Sequence, residues 1–190
     1  MKKKSLALLV ALVLALALMV VGAVAGTLAW LTAKSDTVTN TFTTSDIKVK
    51  LEETTGTNYK MIPGYTIRKD PQATVLTGSE ECYLFVKLDE STNFDDYMTY
   101  EMADGWTALK DVNGVYYREV KTADIGKAYS VLKNNQVTVK GEVTKAMMDG
   151  LTTETLPKLT ITAYASQLHK DASTEFTPAE AWANVNPTNS

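Results

Sequence analysis

The chain has 190 residues, of which 45% are hydrophobic, and its net charge at pH 7 is −3. This acidic balance argues against nucleic-acid binding and against a cationic protein of the membrane surface. The single cysteine, Cys82, excludes an intrachain disulfide, and its position in the apolar run CYLFVKL indicates a buried residue rather than a reactive thiol. No internal repeat divides the sequence, so one domain is expected behind the N-terminal segment.

The N-terminus has the pattern of a secretory signal peptide over residues 1–29. Lysines occupy positions 2–4, and residues 5–33 carry no charge, which is long enough for a signal or for a membrane anchor. Two small-residue patterns follow, Ala-Val-Ala at 23–25 and Thr-Leu-Ala at 27–29, without a basic cluster behind them. We therefore expect a cleaved signal, with an uncleaved anchor as the alternative. Cleavage would leave 16 basic and 22 acidic residues, a net charge of −6.

The threonine-rich stretch after the signal is expected to be extended, but not to form one continuous strand. Val38 and Phe42 share one parity of the period-two pattern, whereas the apolar residues of IKVKL at 47–51 share the other. A change of phase near Ser45 indicates a bulge or two separate strands, because side chains alternate between the faces of a strand. Residues 30–45 are therefore expected to form a separate segment, and IKVKL is expected to be the first strand of the domain.

Alternation of apolar and polar residues predicts several further strands. The run CYLFVKL at 82–88 is apolar on both faces, as in a central strand that is covered on both sides. Pro63-Gly64 suits a type II turn, because glycine tolerates the positive φ that this turn requires. The other predicted strands are residues 114–120, 136–143 and 158–168. Many short strands joined by turns predict an antiparallel, all-β sandwich over residues 46–186, with a disordered polar tail at 187–190.

Two short helices are predicted. Their capping residues are Thr144 as N-cap and Gly150 near C′ of a helix over 144–151, and Thr177 as N-cap, Pro178 at N1 and Glu180 at N3 of a helix over 177–185. Thr177 and Glu180 together would form a capping box, which satisfies backbone N–H groups at the start of the second helix. Trp182 is expected to anchor that helix by packing rather than to bind a ligand.

The residues needed for common catalytic sites are missing from the sequence, so neither an enzyme activity nor a cofactor is expected. The chain has one histidine, His169, and no H-E-x-x-H motif, whereas a catalytic zinc site usually has three protein ligands. A G-x-S-x-G motif and a phosphate-binding glycine loop are also missing from the sequence. His169 is therefore expected to lie in an exposed loop.

The acidic run LDESTNFDD at 88–96 contains oxygen ligands of the kind that calcium prefers. It lacks the residue order of an EF-hand loop. A solvated acidic loop is therefore the expected form of Asp89 to Asp96, with a calcium site as the alternative.

Four stretches, taken in order, resemble the TasA and camelysin-like proteins, Gram-positive matrix proteins that are processed by the dedicated signal peptidase SipW. They are GTLAWLTAKSDTVTNTFTTSDIKVKLEE, MIPGYTIRKDPQATVLTGSEECYLFVKL, ITAYASQ and the terminal AEAW. The resemblance covers most of the chain, except residues 89–135, which carry no motif of the family.

The resemblance implies cleavage after Ala29, so that Trp30 becomes the new N-terminus, instead of cleavage after Ala25. It also implies a jelly-roll-like pair of antiparallel sheets and head-to-tail fibres, in which the released segment adds as a strand to the next copy. The expected anchors of this donor segment are Trp30, Leu31, Val38 and Phe42. The implied location is the extracellular matrix or the cell surface.

The expected partners are further copies of the chain and a signal peptidase of the SipW type. Contact with a membrane is expected only through the signal segment before cleavage. One alternative is a cell-surface binding module that an uncleaved signal segment anchors. A further alternative, a metalloprotease, follows from the label of camelysin-like relatives, and the missing zinc motif argues against it.

Overall fold

The computed structural model describes residues 46–56 and 59–186. The predicted signal peptide at 1–29, the segment at 30–45 and the tail at 187–190 lie outside these residues. Across the described residues the fold is all-β, with ten strands in three antiparallel sheets and three short helices. The predicted fold class is therefore confirmed at this level.

The strands are β1 (Val49–Glu52), β2 (Thr66–Arg68), β3 (Gln72–Val75), β4 (Cys82–Glu90), β5 (Met98–Thr99), β6 (Thr107–Ala108), β7 (Val115–Val120), β8 (Ala128–Ser130), β9 (Gln136–Val139) and β10 (Leu159–Gln167). The helices are α1 (Phe94–Tyr97), α2 (Lys145–Asp149) and α3 (Pro178–Val185), and 3₁₀ turns lie at Thr122–Asp124 and Lys133–Asn135. The sheets are ordered β1-β3-β8, β10-β4-β7-β6 and β2-β9-β5, and every pair is antiparallel.

β4 is one of the two inner strands of the four-stranded sheet, and both of its faces are buried. Leu84 and Val86 belong to the main core cluster, which also contains residues of β3, β5, β8 and β9. Tyr83 and Phe85 belong to a second cluster beneath α3. Because successive side chains of a strand point to opposite faces, an apolar run is required here, as the sequence predicted.

Helix α3 covers the second cluster and begins with the predicted capping box. The Thr177 hydroxyl accepts a bond from the Glu180 N–H, and the Glu180 carboxylate accepts one from the Thr177 N–H. Trp182 is buried, with its ring centroid 5.3 Å from that of Phe85 and 5.1 Å from that of Tyr164 on β10. Its predicted role as a packing anchor is confirmed.

One predicted strand is shorter than expected. β9 ends at Val139 instead of Val143, because the chain turns at Gly141 and the Val143 N–H donates to the Lys140 oxygen at 3.3 Å. Val143 nevertheless packs in the main core cluster. The alternation therefore identified the buried residues correctly, while the predicted end of the strand is wrong.

Three further predictions concern a turn and the two ends of helix α2. Gly64 has a φ of 76°, and the Tyr65 N–H donates to the Ile62 oxygen at 3.0 Å, as a type II turn requires. The Thr144 hydroxyl caps α2 by accepting from the Met147 N–H. Gly150 is the C-cap residue of α2 with a φ of −80°, so this helix does not end in the left-handed conformation that glycine commonly provides.

Candidate functional site

β10 lies at one edge of the four-stranded sheet, and its register determines which backbone groups face outward. The Leu168 N–H donates to the Glu81 oxygen at 3.1 Å, and the Ser91 N–H donates to the Lys158 oxygen at 2.9 Å. Because antiparallel bonding alternates along a strand, the even-numbered residues of β10 bond to β4. The outer edge of β10 is therefore formed by the N–H and C=O groups of Leu159, Ile161, Ala163, Ala165 and Gln167.

This outer edge lacks the usual protection against strand pairing. β10 is nine residues long, and its sequence LTITAYASQ contains neither a charged residue nor a proline. Natural sheets commonly protect their edges with charges, prolines, bulges or very short strands. Among the described residues, β1 lies close to β10, but it belongs to another sheet and no strand pairs with the outer edge. The outer edge is therefore suited to accept an added strand.

An open groove of 760 Å³ lies at the N-terminal end of β10. Its apolar lining comes from several elements, among them Ile67 of β2, Met98 of β5, Val137 of β9, Met148 of α2 and Leu159 of β10. Two sheets and helix α2 thus meet around one cleft, which we call the apolar groove. Leu159 and Thr160, the first two residues of β10, bring one end of this strand to the groove.

The large apolar side chains that are exposed in the described part of the chain lie on or beside this groove. Leu156, which is 43% exposed, lines it directly. Ile62 and Tyr65 are 49% and 63% exposed, and they flank the turn that follows Met61, another lining residue. Apolar exposure concentrated at one place is typical of a surface that binds a partner.

The charges at the apolar groove are positive, and one of them is neutralised. The Lys69 ammonium lies 2.8 Å from a Glu53 oxygen, and the Tyr59 hydroxyl donates to the same carboxylate. Burial raises the pKa of Tyr59, so this phenol stays a hydrogen-bond donor. Lys60 and Lys158 also line the groove, and neither has an ion-pair partner among the described residues. A bound segment would therefore meet an apolar floor with a basic rim.

His169 follows β10 and is exposed, as predicted. Its Nε2 lies 3.3 Å from a Glu81 oxygen, and its Nδ1 lies 3.9 Å from a Glu175 oxygen. Glu81 also accepts bonds from the N–H and the hydroxyl of Thr122, and these bonds lower its pKa to about 2. This histidine therefore joins a surface hydrogen-bonded cluster with Glu81 and Thr122 that connects the ends of β7 and β10.

The acidic run at 88–96 is not the simple loop that the sequence suggested, because its ends belong to β4 and α1. The Asp89 carboxylate pairs with Lys87 at 2.9 Å, and the Glu90 carboxylate accepts a bond from the Tyr100 hydroxyl at 2.5 Å. Residues 46–56 and 59–186 contain no group of three or more His, Cys, Asp or Glu side chains placed to hold a metal ion.

The residues predicted from sequence to carry the function lie outside the described part of the chain. They are Ala29 and Trp30 at the cleavage site, and Trp30, Leu31, Val38 and Phe42 in the assembly segment. Sequence reasoning identified neither the open edge of β10 nor the apolar groove. The lack of charge in LTITAYASQ was visible, but only the sheet order shows that this strand lies at an edge.

None of the helices in the described residues is long and apolar enough to cross a membrane. Compared with protein-family models, with curated proteins and with solved structures, the chain matches none.

Proposed function

We propose that this chain is a secreted structural protein of the extracellular matrix or cell surface, whose copies assemble head-to-tail by strand addition. Residues 30–42 of one copy pair with the outer edge of β10 in the next. The observation that carries the proposal is the nine-residue, uncharged outer edge beside the apolar groove. No catalytic role is proposed.

Backbone pairing supplies the first part of the binding energy. Five residues of β10 alternate along the outer edge, and each presents an N–H and a C=O group. A strand of nine residues is about 30 Å long at about 3.3 Å per residue, and residues 30–42 would span about 43 Å when extended. The segment is therefore long enough to cover the whole outer edge.

Side chains supply the second part. Val38 and Phe42 share one face of an extended segment, and the apolar groove offers a lining to receive them. Full burial of such a side chain contributes about 1.5–3 kcal/mol. Main-chain bonds thus provide affinity, while the pockets for alternate side chains provide specificity.

Cleavage of the signal controls when assembly begins. Before cleavage after Ala29, the donor segment is tethered to an apolar run that carries no charge over residues 5–29. A signal peptidase of the SipW type would release it with Trp30 at its N-terminus. The resemblance to the TasA and camelysin-like proteins supports this order of events, and a donor that leaves one copy for the next produces an open filament.

The test is the state of the secreted chain. N-terminal sequencing should begin at Trp30, and size-exclusion chromatography with negative-stain microscopy should show fibres that grow with protein concentration. A secreted chain that stays monomeric at every concentration would contradict the assembly. A start at residue 26 would place the cut at the Ala25 site, and an intact N-terminus in the membrane fraction would favour the anchored binding module.

A further inference from the structure

The apolar groove is rich in methionine. Five methionines lie in the described residues, and three of them, Met61, Met98 and Met148, line this groove. The other two, Met102 and Met147, pack on the main core cluster outside it. Thioethers are flexible and polarizable, so they fit varied apolar side chains, and they are also the side chains that peroxides oxidise.

Two of the three methionines that line the groove are partly exposed to solvent. Met61 and Met148 are partly exposed in the open groove, whereas Met98 is 8% exposed at its floor. A hydroperoxide transfers one oxygen to Sγ: its O–O bond breaks, an S–O bond forms, and water or an alcohol leaves. The sulfur is oxidised by two electrons and the peroxide is reduced.

We propose that oxidation of Met61 and Met148 to the sulfoxide prevents the donor segment from entering the apolar groove, so that a hydroperoxide switches assembly off. The inference rests on the proposed function, since it concerns the same groove and the same donor segment. Methionine sulfoxide reductases reverse the change, which makes the switch reversible.

The effect falls on binding rather than on folding. In the open groove the sulfoxide oxygen of Met61 or Met148 is hydrated, so the folded domain loses little. Beneath a bound segment the same oxygen would be buried against Val38 or Phe42 without a hydrogen-bond donor, and an unpaired buried polar group is costly. We therefore expect affinity for the segment to fall about tenfold or more, with an almost unchanged melting temperature.

The experiment uses the secreted chain with Val38→Asp, which disables its own donor segment, and a fluorescent peptide of residues 30–42. Peptide affinity is measured by anisotropy before and after hydrogen peroxide, with mass spectrometry to assign the sulfoxides. Peroxide should weaken binding about tenfold or more. Whatever affinity the Met61→Leu/Met148→Leu variant has for the peptide before peroxide, it should keep that affinity after peroxide. The matched Met102→Leu/Met147→Leu variant should stay sensitive.

Unchanged affinity of a chain shown to carry sulfoxide at both groove positions would overturn the proposal, as would equal loss in the Met61→Leu/Met148→Leu variant. If that variant does not fold, the test is whether bound peptide protects the groove methionines from oxidation. Bound peptide should slow sulfoxide formation at Met61 and Met148 but not at Met102. Equal rates at the three positions would overturn the proposal. A peptide that does not bind the reduced chain would refute the proposed function itself, which is a distinguishable result.

Discussion

The two edges of the four-stranded sheet are built in opposite ways. At one edge, β10 presents nine residues without a charge. At the other, β6 is only two residues long and pairs with Tyr116 and Tyr117 of β7. Beyond β6, β7 continues with Arg118 and Glu119. The second edge is therefore short and charged, and these features prevent unwanted strand pairing.

The charges at the β7 edge are held by specific contacts. The Arg118 guanidinium carbon lies 3.7 Å from the centroid of the Tyr129 ring, and Lys121 Nζ lies 3.6 Å from a Glu119 oxygen. One edge is thus protected and the other is left open within a single sheet. The unprotected edge at β10 is therefore not a general property of this sheet, because the opposite edge of the same sheet is protected.

The largest expected effect concerns the packing of helix α3 on β4 and β10. Trp182→Ala should lower the free energy of unfolding by about 3–5 kcal/mol, since it removes a buried ring that packs on Phe85 and Tyr164. Urea denaturation measures the change. Trp182→Phe should retain most of the stability, and an equal loss in both variants would mean that ring packing is not the cause.

The second prediction concerns the proposed donor segment, which would pair with the β10 edge. Val38→Asp should abolish fibres while the domain stays folded, because an unpaired charge in an apolar groove costs several kcal/mol. Thr39→Asp adds the same charge on the opposite face of the segment and should leave fibres largely intact. Negative-stain microscopy and circular dichroism provide the readout, and equal fibre loss in both variants would contradict the assigned face.

The third prediction compares the two edges directly. Ala163→Pro removes an outward N–H of β10 without removing a bond to β4, so it should raise the concentration needed for assembly about tenfold or more. Glu119→Pro is the matched change at the other edge, since the bond from the Leu88 N–H to the Gly114 oxygen places the Glu119 N–H outward on β7. It should leave assembly unchanged. If Glu119→Pro blocks assembly and Ala163→Pro does not, the wrong edge has been assigned.

The smallest effect is expected at Glu81, whose contacts with Thr122 and His169 connect the ends of β7 and β10. The bonds from Thr122 lower the pKa of Glu81 from its usual 4.5 to about 2. Between these values the unfolded chain takes up a proton that the folded chain does not. The stabilisation is therefore complete above about pH 4.5 and is lost as the pH falls towards 2. Denaturation curves from pH 6 to pH 2 should show a shallower decline for Glu81→Gln, and parallel curves would remove Glu81 as a contributor.

Local signals predicted much of the fold. The apolar run at 82–88 has the burial of a strand covered on both faces, and Thr177 with Glu180 specified the start of α3. Both rest on near neighbours in the sequence. The strand predicted at 158–168 is confirmed as β10 within one residue at each end, because its alternation is sustained over many residues.

Pairing between distant strands could not be predicted. The local sequence of β10 does not indicate that this strand pairs with β4, or that its other side has no partner strand among the described residues. Residues 89–135 carry no motif of the family that the chain resembles. Of their elements only β7 was predicted, at 114–120, whereas α1, β5, β6 and β8 were not. The apolar groove likewise combines β2, β5, β9, β10 and α2, so it exists only once the chain has folded.

The long sequence separation between β4 and β10 has a consequence for how the chain folds. Cys82 pairs with Gln167, so a large loop must close before these strands meet, and such distant pairing slows folding. During synthesis, which starts at the N-terminus, β4 emerges long before its partner does. We therefore expect refolding to be slow for a domain of this size. The interval before β10 arrives is the period in which the chain is most exposed to aggregation.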